Sequence, residues 1–408
     1  MQRQILIMIR NTLSVLLFLF GQLPLFAQLG EDNLMPEIEI GFKTIATGNF
    51  YSNQGAASLE LPVLNEGEQV ISDFSDSYFL IGARQKLYGN WRGQMALGLS
   101  FPDAGSGLGQ VFYNQVFIQI ENHKNIFKVG RSTSQTTLLE FPTLRDDDAL
   151  QYNYVLNPFS DGLNTEDNQY ANVLEFTHIF GQRWRVAIHG ENFQDFENPN
   201  DFSLNGIGGS LVYRMPETQI WNRGFLQEIG LSYNNFLTGR PEENVDEVLT
   251  NFIGSVALNL KPDPVHFIDF KAQAIQNFGF DDIQEITGYS DYTRTKSTGL
   301  YGSFRYVYRK LERPTFMVSL GFGYKDFSNL GNSTNQWMGI ASFFYRIGNN
   351  FDLVAQYRYS QNNGDLIPLL GENQHRFQVG LAYTFNKVFN SQFDDRNSIL
   401  NLEHGYLK

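Results

Sequence analysis

Acidic side chains crowd one stretch of this chain. Between Ser132 and Asn168 stand Glu140, Asp146, Asp147, Asp148, Asp161, Glu166 and Asp167, with Arg145 as the one basic residue after the arginine that opens the stretch. Clustered carboxylates attract hard cations such as calcium. Three consecutive aspartates cannot all turn toward one ion, however, and the spaced carboxylates of an EF-hand loop are missing, so no metal site is expected. Nucleophilic catalysis needs a base within reach of a hydroxyl or thiol. The chain has no cysteine, and its six histidines show no zinc spacing such as HExxH. His178 and His189 are the candidate bases, but neither stands in a recognisable serine-containing motif. Neither an enzyme nor a cofactor is expected. What remains for the acidic stretch is electrostatics, a field that orients charged and dipolar solutes.

The segments that must hold this stretch in place read as strands. Aromatic residues make up 15% of the chain, led by Phe and Tyr, which favour strands. Period-two alternation is common and helical periodicity scarce. Sixteen alternating runs are bounded by Gly, Pro, Asn or Asp: about 36–46, 77–88, 91–101, 111–122, 125–131, 169–179, 182–190, 203–214, 225–237, 248–260, 264–276, 293–309, 314–326, 335–347, 350–361 and 374–386. Their two faces differ. Phe316, Val318, Leu320, Phe322 and Tyr324 oppose Ser319, Gly321, Gly323 and Lys325, and Met95, Leu97 and Leu99 oppose Gln94, Ala96 and Gly98.

Connection lengths alternate as well. YGN, NHK, FGQ, KPDP, LERP and IGNN are tight, whereas 47–76, 132–168, 191–202 and 277–292 are long. Short turns on one side and long loops on the other describe an up-and-down antiparallel barrel. A soluble barrel of this size would need an apolar interior, which the face carrying Arg358, Arg376 and Gln378 cannot provide. An outward apolar band around a wet lumen satisfies both faces, and closure pairs every backbone group that lipid cannot solvate. The predicted fold is therefore all-β, a transmembrane barrel of sixteen strands. Strand parity then turns Lys43, Arg84, Arg358 and Arg376 toward the lumen, on the first two and last two strands, each near the middle of its strand.

The ends agree with this placement. Arg3 and Arg10 flank the start of the apolar run TLSVLLFLFGQLPLFA, which ends at Ala27, so residues 1–27 read as a cleaved secretory signal. No apolar run of 18 residues follows it, and no transmembrane helix is expected. The formal net charge is −13, and the signal holds two arginines and no acid. So acidic a chain is a poor ligand for nucleic acid. The barrel is expected over 28–386 and a periplasmic tail over 387–408.

The last strand, FQVGLAYTF, places Gln378, Gly380, Tyr383 and Phe385 in a polar-x-Gly-x-x-Tyr-x-Phe arrangement. This resembles the signal by which outer-membrane barrels are recognised for insertion, although the aromatic commonly ends such chains and here 22 residues beyond 386 follow. The long segment 132–168, which follows the fifth strand, resembles in size and position the constriction loop of 16-stranded trimeric porins. VGRSTS at 129–134, leading into an aromatic and acidic loop, is similar to the DcaP-like and phosphate-porin-like branch. The resemblance implies a passive channel in the outer membrane of a Gram-negative bacterium, for small hydrophilic solutes or ions. It also implies a homotrimer in outer-membrane lipid and lipopolysaccharide, inserted by the barrel-assembly machinery. On this expectation Glu140, Arg145, Asp146, Asp147, Asp148 and Asp161 face Lys43, Arg84, Arg358 and Arg376 across the constriction. The rivals are a surface-binding, adhesin-type barrel with a filled lumen and an outer-membrane enzyme.

Overall fold

The computed structural model describes the strands, most short turns and a few flanking residues. Residues 1–34, 55–68, 74–76, 102–111, 134–169, 193–205, 216–224, 241–244, 264, 279–295, 311–312, 328–333, 349, 365–366, 368–371 and 392–408 lie outside the described residues. The first half comprises β1 (Glu37–Gln54), β2 (Gln69–Asp73), β3 (Ser77–Lys86), β4 (Arg92–Phe101), β5 (Phe112–Glu121), β6 (Asn125–Thr133), β7 (Tyr170–Phe180) and β8 (Trp184–Asn192). The second comprises β9 (Gly206–Arg214), β10 (Leu226–Arg240), β11 (Val245–Pro262), β12 (His266–Phe278), β13 (Lys296–Lys310), β14 (Arg313–Phe327), β15 (Thr334–Arg346), β16 (Phe351–Asn363) and β17 (Asn373–Phe389).

These elements form one closed antiparallel ring. From β3 onward each strand pairs with the next, and β17 returns to β1 through Ile38↔Phe389 to Gln54↔Asn373. On its other side β1 pairs with β3 over Glu37–Lys43 and with the short β2 over Thr47–Phe50. Two elements thus share one position, so the ring has sixteen positions and no free edge, as lipid requires of backbone polar groups.

Every predicted strand is present, with corrections at the seam. β1 runs on to Gln54, and β2 lies inside the stretch expected to be loop. Alternation fades along TGNFYSNQ, but the backbone there still pairs with β17. β17 likewise continues past the predicted end at 386, because Lys387–Phe389 pair with Ile38–Ile40. The strand stops where Asn390 takes a left-handed φ of 52°.

Local chemistry makes the tight turns. Gly181 and Gln182 both take positive φ, 59° and 60°, the left-handed pair of a type I′ turn, within the three-residue connection between β7 and β8. Between β5 and β6 the Asn122 Oδ1 accepts the amides of Lys124 and Asn125, each at 2.8 Å. The Asp263 Oδ1 does the same for Val265 at 2.7 Å before β12.

The two faces separate as the alternation predicts. On β15, Trp337 is 43% exposed and Tyr345 45%, while Gln336 and Ser342 on the opposite parity are buried. Two aromatic belts circle the outside. At the short-turn end stand Phe180, Trp184 and Tyr213, then His266, Tyr306, Phe316 and Phe343, then Phe351 and Tyr383. At the long-loop end stand Tyr233 with Phe252, Tyr324 with Trp337, and Tyr357 beside His375. Trp337 and Tyr345 are eight residues apart on one strand. At a rise of about 3.4 Å per residue and a tilt of about 40°, they stand roughly 20 Å apart along the barrel axis, close to the ~25 Å apolar band of such barrels.

Leu231 lies between the belts on β10, 63% exposed, and Ser232 beside it faces inward and is buried. Leu231→Arg is expected to lower stability by about 2–4 kcal/mol, and Ser232→Ala by at most about 1 kcal/mol. Urea titration of barrels refolded into lipid vesicles measures both. Equal tolerance of the two substitutions would contradict a lipid-facing Leu231.

Candidate functional site: the barrel lumen

Ion pairs between neighbouring strands tile the inward face. Arg305 on β13 grips Asp269 on β12 with two hydrogen bonds, Nε to Oδ1 at 3.0 Å and Nη2 to Oδ2 at 2.6 Å. The two are Cα partners in the register, with side chains only 6% and 3% exposed. Arg346 donates to Asp352 at 3.0 Å, Lys128 lies 3.7 Å from Glu175, and Arg92 and Arg214 engage Glu121 and Glu228. Amide ladders fill the spaces between charges. Ser342 donates to Gln356 at 2.9 Å, Gln356 to Gln378 at 3.2 Å, and Gln336 to Asn362 at 2.6 Å. Such ladders satisfy polar groups that the wall would otherwise bury unpaired.

The four predicted wall cations do face inward, and the β1–β17 pairing brings their strands together. They do not share one level. Arg358 and Arg376 are direct Cα partners across β16 and β17. Lys43 lies between Tyr78 of β3 and Thr384 of β17. Arg84 is two residues from the end of β3, where it donates to Glu37 at 2.6 Å. It therefore belongs to the short-turn rim and not to mid-height, and Arg376, fourth in β17, stands toward the long-loop end. β3 ends at Lys86, short of the expected 88, and Arg376 is only the third residue of the expected 374–386, so neither arginine stands at the middle of its strand. Glu140, Arg145, Asp146, Asp147, Asp148 and Asp161 lie outside the described residues.

The predicted set of wall cations left out Lys271 on β12 and Lys325 on β14, which also face inward. Alternation already puts Lys325 on the polar face, opposite the apolar set quoted above, and Lys271 follows by the same parity. Among the described inward-facing residues, Lys and Arg outnumber Asp and Glu, with the excess largest on β12 to β17.

The expectation of a uniformly small, polar or basic inner face needs correction. Phe267, Val307, Met317, Phe344 and Val354 occupy one register row across β12 to β16 and point inward, all nearly fully buried. The Arg309 guanidinium lies 4.8 Å from the Phe267 ring centre and that of Arg346 5.5 Å from Phe344. Near the short turns both faces of these strands are apolar, as in Met317–Val318 and Phe343–Phe344, so alternation cannot tell inside from outside there.

Residues of the insertion signal alternate across the sheet. Gln378 and Gly380 face inward, while Tyr383 faces outward between the rings of Phe42 and Phe351, at 6.4 and 4.8 Å. Phe385 is exposed on the same outer face, which continues to Phe389. Of the two candidate bases, His178 sits on the outer face against Asn125, 2.7 Å away, and His189 faces inward.

No family model matches this chain, and no curated protein matches it. Solved structures do. An anion-selective porin from Comamonas acidovorans superposes with a TM-score of 0.60 at 11% identity, covering 86% of this chain and 100% of that one. The outer membrane channel DcaP of Acinetobacter baumannii gives 0.58 at 9% identity over 86% and 96% of the two chains. OmpF of Salmonella typhi, solved with daunomycin, gives 0.58 at 13% over 85% and 97%. Closure, strand count and these superpositions agree: the chain has the sixteen-stranded antiparallel barrel fold of the outer-membrane porins.

Proposed function

We propose that this barrel is a passive diffusion channel of a Gram-negative outer membrane, admitting small hydrophilic solutes or ions. One observation carries the reading: a closed ring of sixteen strand positions has an inner wall rich in charged and amide side chains and an outer wall banded by two aromatic belts. A ring of this size is too wide for its own wall side chains to fill, and a polar wall favours hydrated solutes. Residues 1–27 serve export and are removed, the residues after Phe389 form a periplasmic tail, and three copies assemble as in the resembled porins.

The acidic segment with Glu140, Asp146, Asp147, Asp148 and Asp161 faces the cationic sector holding Lys43, Arg358 and Arg376, setting a transverse field across the passage. The Comamonas relative, described as anion-selective, is consistent with a cationic wall governing passage. Planar-bilayer recording under a salt gradient tests the whole reading. Ohmic conductance is expected, and Asp146→Asn/Asp147→Asn/Asp148→Asn should shift the reversal potential toward greater anion preference by roughly 5–20 mV. Silent bilayers would instead favour a surface-binding barrel.

A further inference from the structure

We propose that His189 is a proton-sensitive selectivity residue of this channel, an inference that rests on the channel reading above. Of the histidines in the described residues, His123 lies in a short turn, His178, His266 and His375 stand on the outer belts, and His189 alone faces the lumen. It is 2% exposed, and neither ring nitrogen has a hydrogen-bond partner among the described residues. A buried imidazole without partners is a costly arrangement unless the site serves another protonation state.

The register shows what surrounds the ring. His189 on β8 is the Cα partner of Glu175 on β7 and of Gly208 on β9, and Gly208 is in turn the partner of Asn234 on β10. Gly208 opens the space between them. A Cβ there would fall 2.5 Å from His189 Nε2 and 2.1 Å from Asn234 Oδ1, so the imidazole and the amide oxygen converge over a position that holds no side chain. The Asn234 amide nitrogen is committed elsewhere, to Asn251 Oδ1 at 3.1 Å, which leaves its oxygen turned toward the histidine.

The charged groups facing the ring are few. Glu175 lies on one side, held by the Thr177 hydroxyl at 2.8 Å, with the Lys128 ammonium 3.7 Å beyond it on β6. Along β8 itself Glu191 and Arg185 are the inward-facing neighbours two and four residues away. β9 and β10 present Gly206, Gly208, Ser210, Ser232 and Asn234, none of which titrates. A neutral imidazole offers one donor to this cage, whereas the imidazolium offers two, matching the Glu175 carboxylate and the Asn234 oxygen. Histidine is the side chain whose ordinary titration range lies just below neutral pH. Protonation of His189 places one positive charge on the wall beside the Lys128–Glu175 pair and moves selectivity toward anions.

The test is bilayer recording on the full-length mature protein in a potassium chloride gradient, stepped from about pH 7.5 to about pH 4.5, so that the steps reach below the ordinary titration range of histidine. The chloride-to-potassium permeability ratio of the wild type is expected to rise roughly twofold or more, in one step. His189→Gln removes the step while leaving conductance at the higher pH unchanged. Glu175→Gln, which leaves the imidazole in place, keeps the step. A step that persists in His189→Gln, or a wild type without one, overturns the assignment while the channel reading stands. Absence of conductance at either pH overturns the channel reading itself.

Discussion

Asp269→Ala lowers the stability of the folded barrel by about 3–5 kcal/mol, the usual consequence of removing one partner from a buried ion pair. The Arg305 guanidinium would be left inside the wall with its two charge-assisted hydrogen bonds lost. The Phe267 ring lies 5.9 Å from the guanidinium carbon, and the flanking register positions Ser303 and Ser319 are hydroxyls. Asp269→Asn keeps an acceptor and is expected to lose about half as much. Asp269→Leu with Arg305→Met removes both charges and should recover most of the loss, since an apolar pair of similar volume is often neutral. Urea titration in lipid vesicles separates these outcomes. If Asp269→Ala and the double variant unfold at the same urea concentration, the pair does not act as a unit.

Gly380→Val is the second large effect, and it acts at the seam. Gly380 on β17 stands opposite Thr47 of β1, and a Cβ there would fall 2.0 Å from the Ala46 carbonyl oxygen and 2.9 Å from the Thr47 Cα. These obstructing atoms are backbone, so no rotamer change relieves the clash, and β1 must separate from the strand that closes the ring. Overpacking that side chains can absorb costs about 1–3 kcal/mol. Without that freedom a loss of about 3 kcal/mol or more is expected, seen as at least a tenfold smaller fraction of heat-resistant folded barrel on gel electrophoresis. Gly48, almost level with it across the seam, is the control. Its missing Cβ would meet only the Val379 carbonyl oxygen at 3.8 Å, so Gly48→Ala is expected to fold normally. Equal folding of the two variants would refute the close approach at Gly380.

The glycine of the insertion-signal pattern thus has a structural reason that recognition by assembly machinery does not supply. The pattern Gln378, Gly380, Tyr383, Phe385 is legible in one strand, but the need for glycine becomes visible only once β1 lies beside it, more than 300 residues earlier in the chain. His189 shows the same division. Its inward parity can be counted from Trp184, yet its neighbour Asn234 is 45 residues away and reaches it across Gly208.

What one strand shows about itself was therefore readable directly. The alternation in TNQWMGIASFFYR marks an outer row of Trp337, Ala341 and Tyr345 and an inner row of Gln336, Met338 and Ser342, because adjacent side chains on extended backbone point to opposite faces. Turn residues such as Gly181, Asn122 and Asp263 are equally local, and together they account for sixteen strands, the side of the short turns and the outward apolar band. Which side chain meets which was decided by the closed ring. Asp269 and Arg305 are separated by the long 279–295 connection, whose length leaves the register of β12 against β13 open until every strand has found both neighbours. The apolar row from Phe267 to Val354 likewise takes its inward direction from the common register, since both faces of those strands are apolar at that height. Face follows from the two-residue period of one strand, whereas partner and height follow from the stagger of the whole barrel, which no single strand contains.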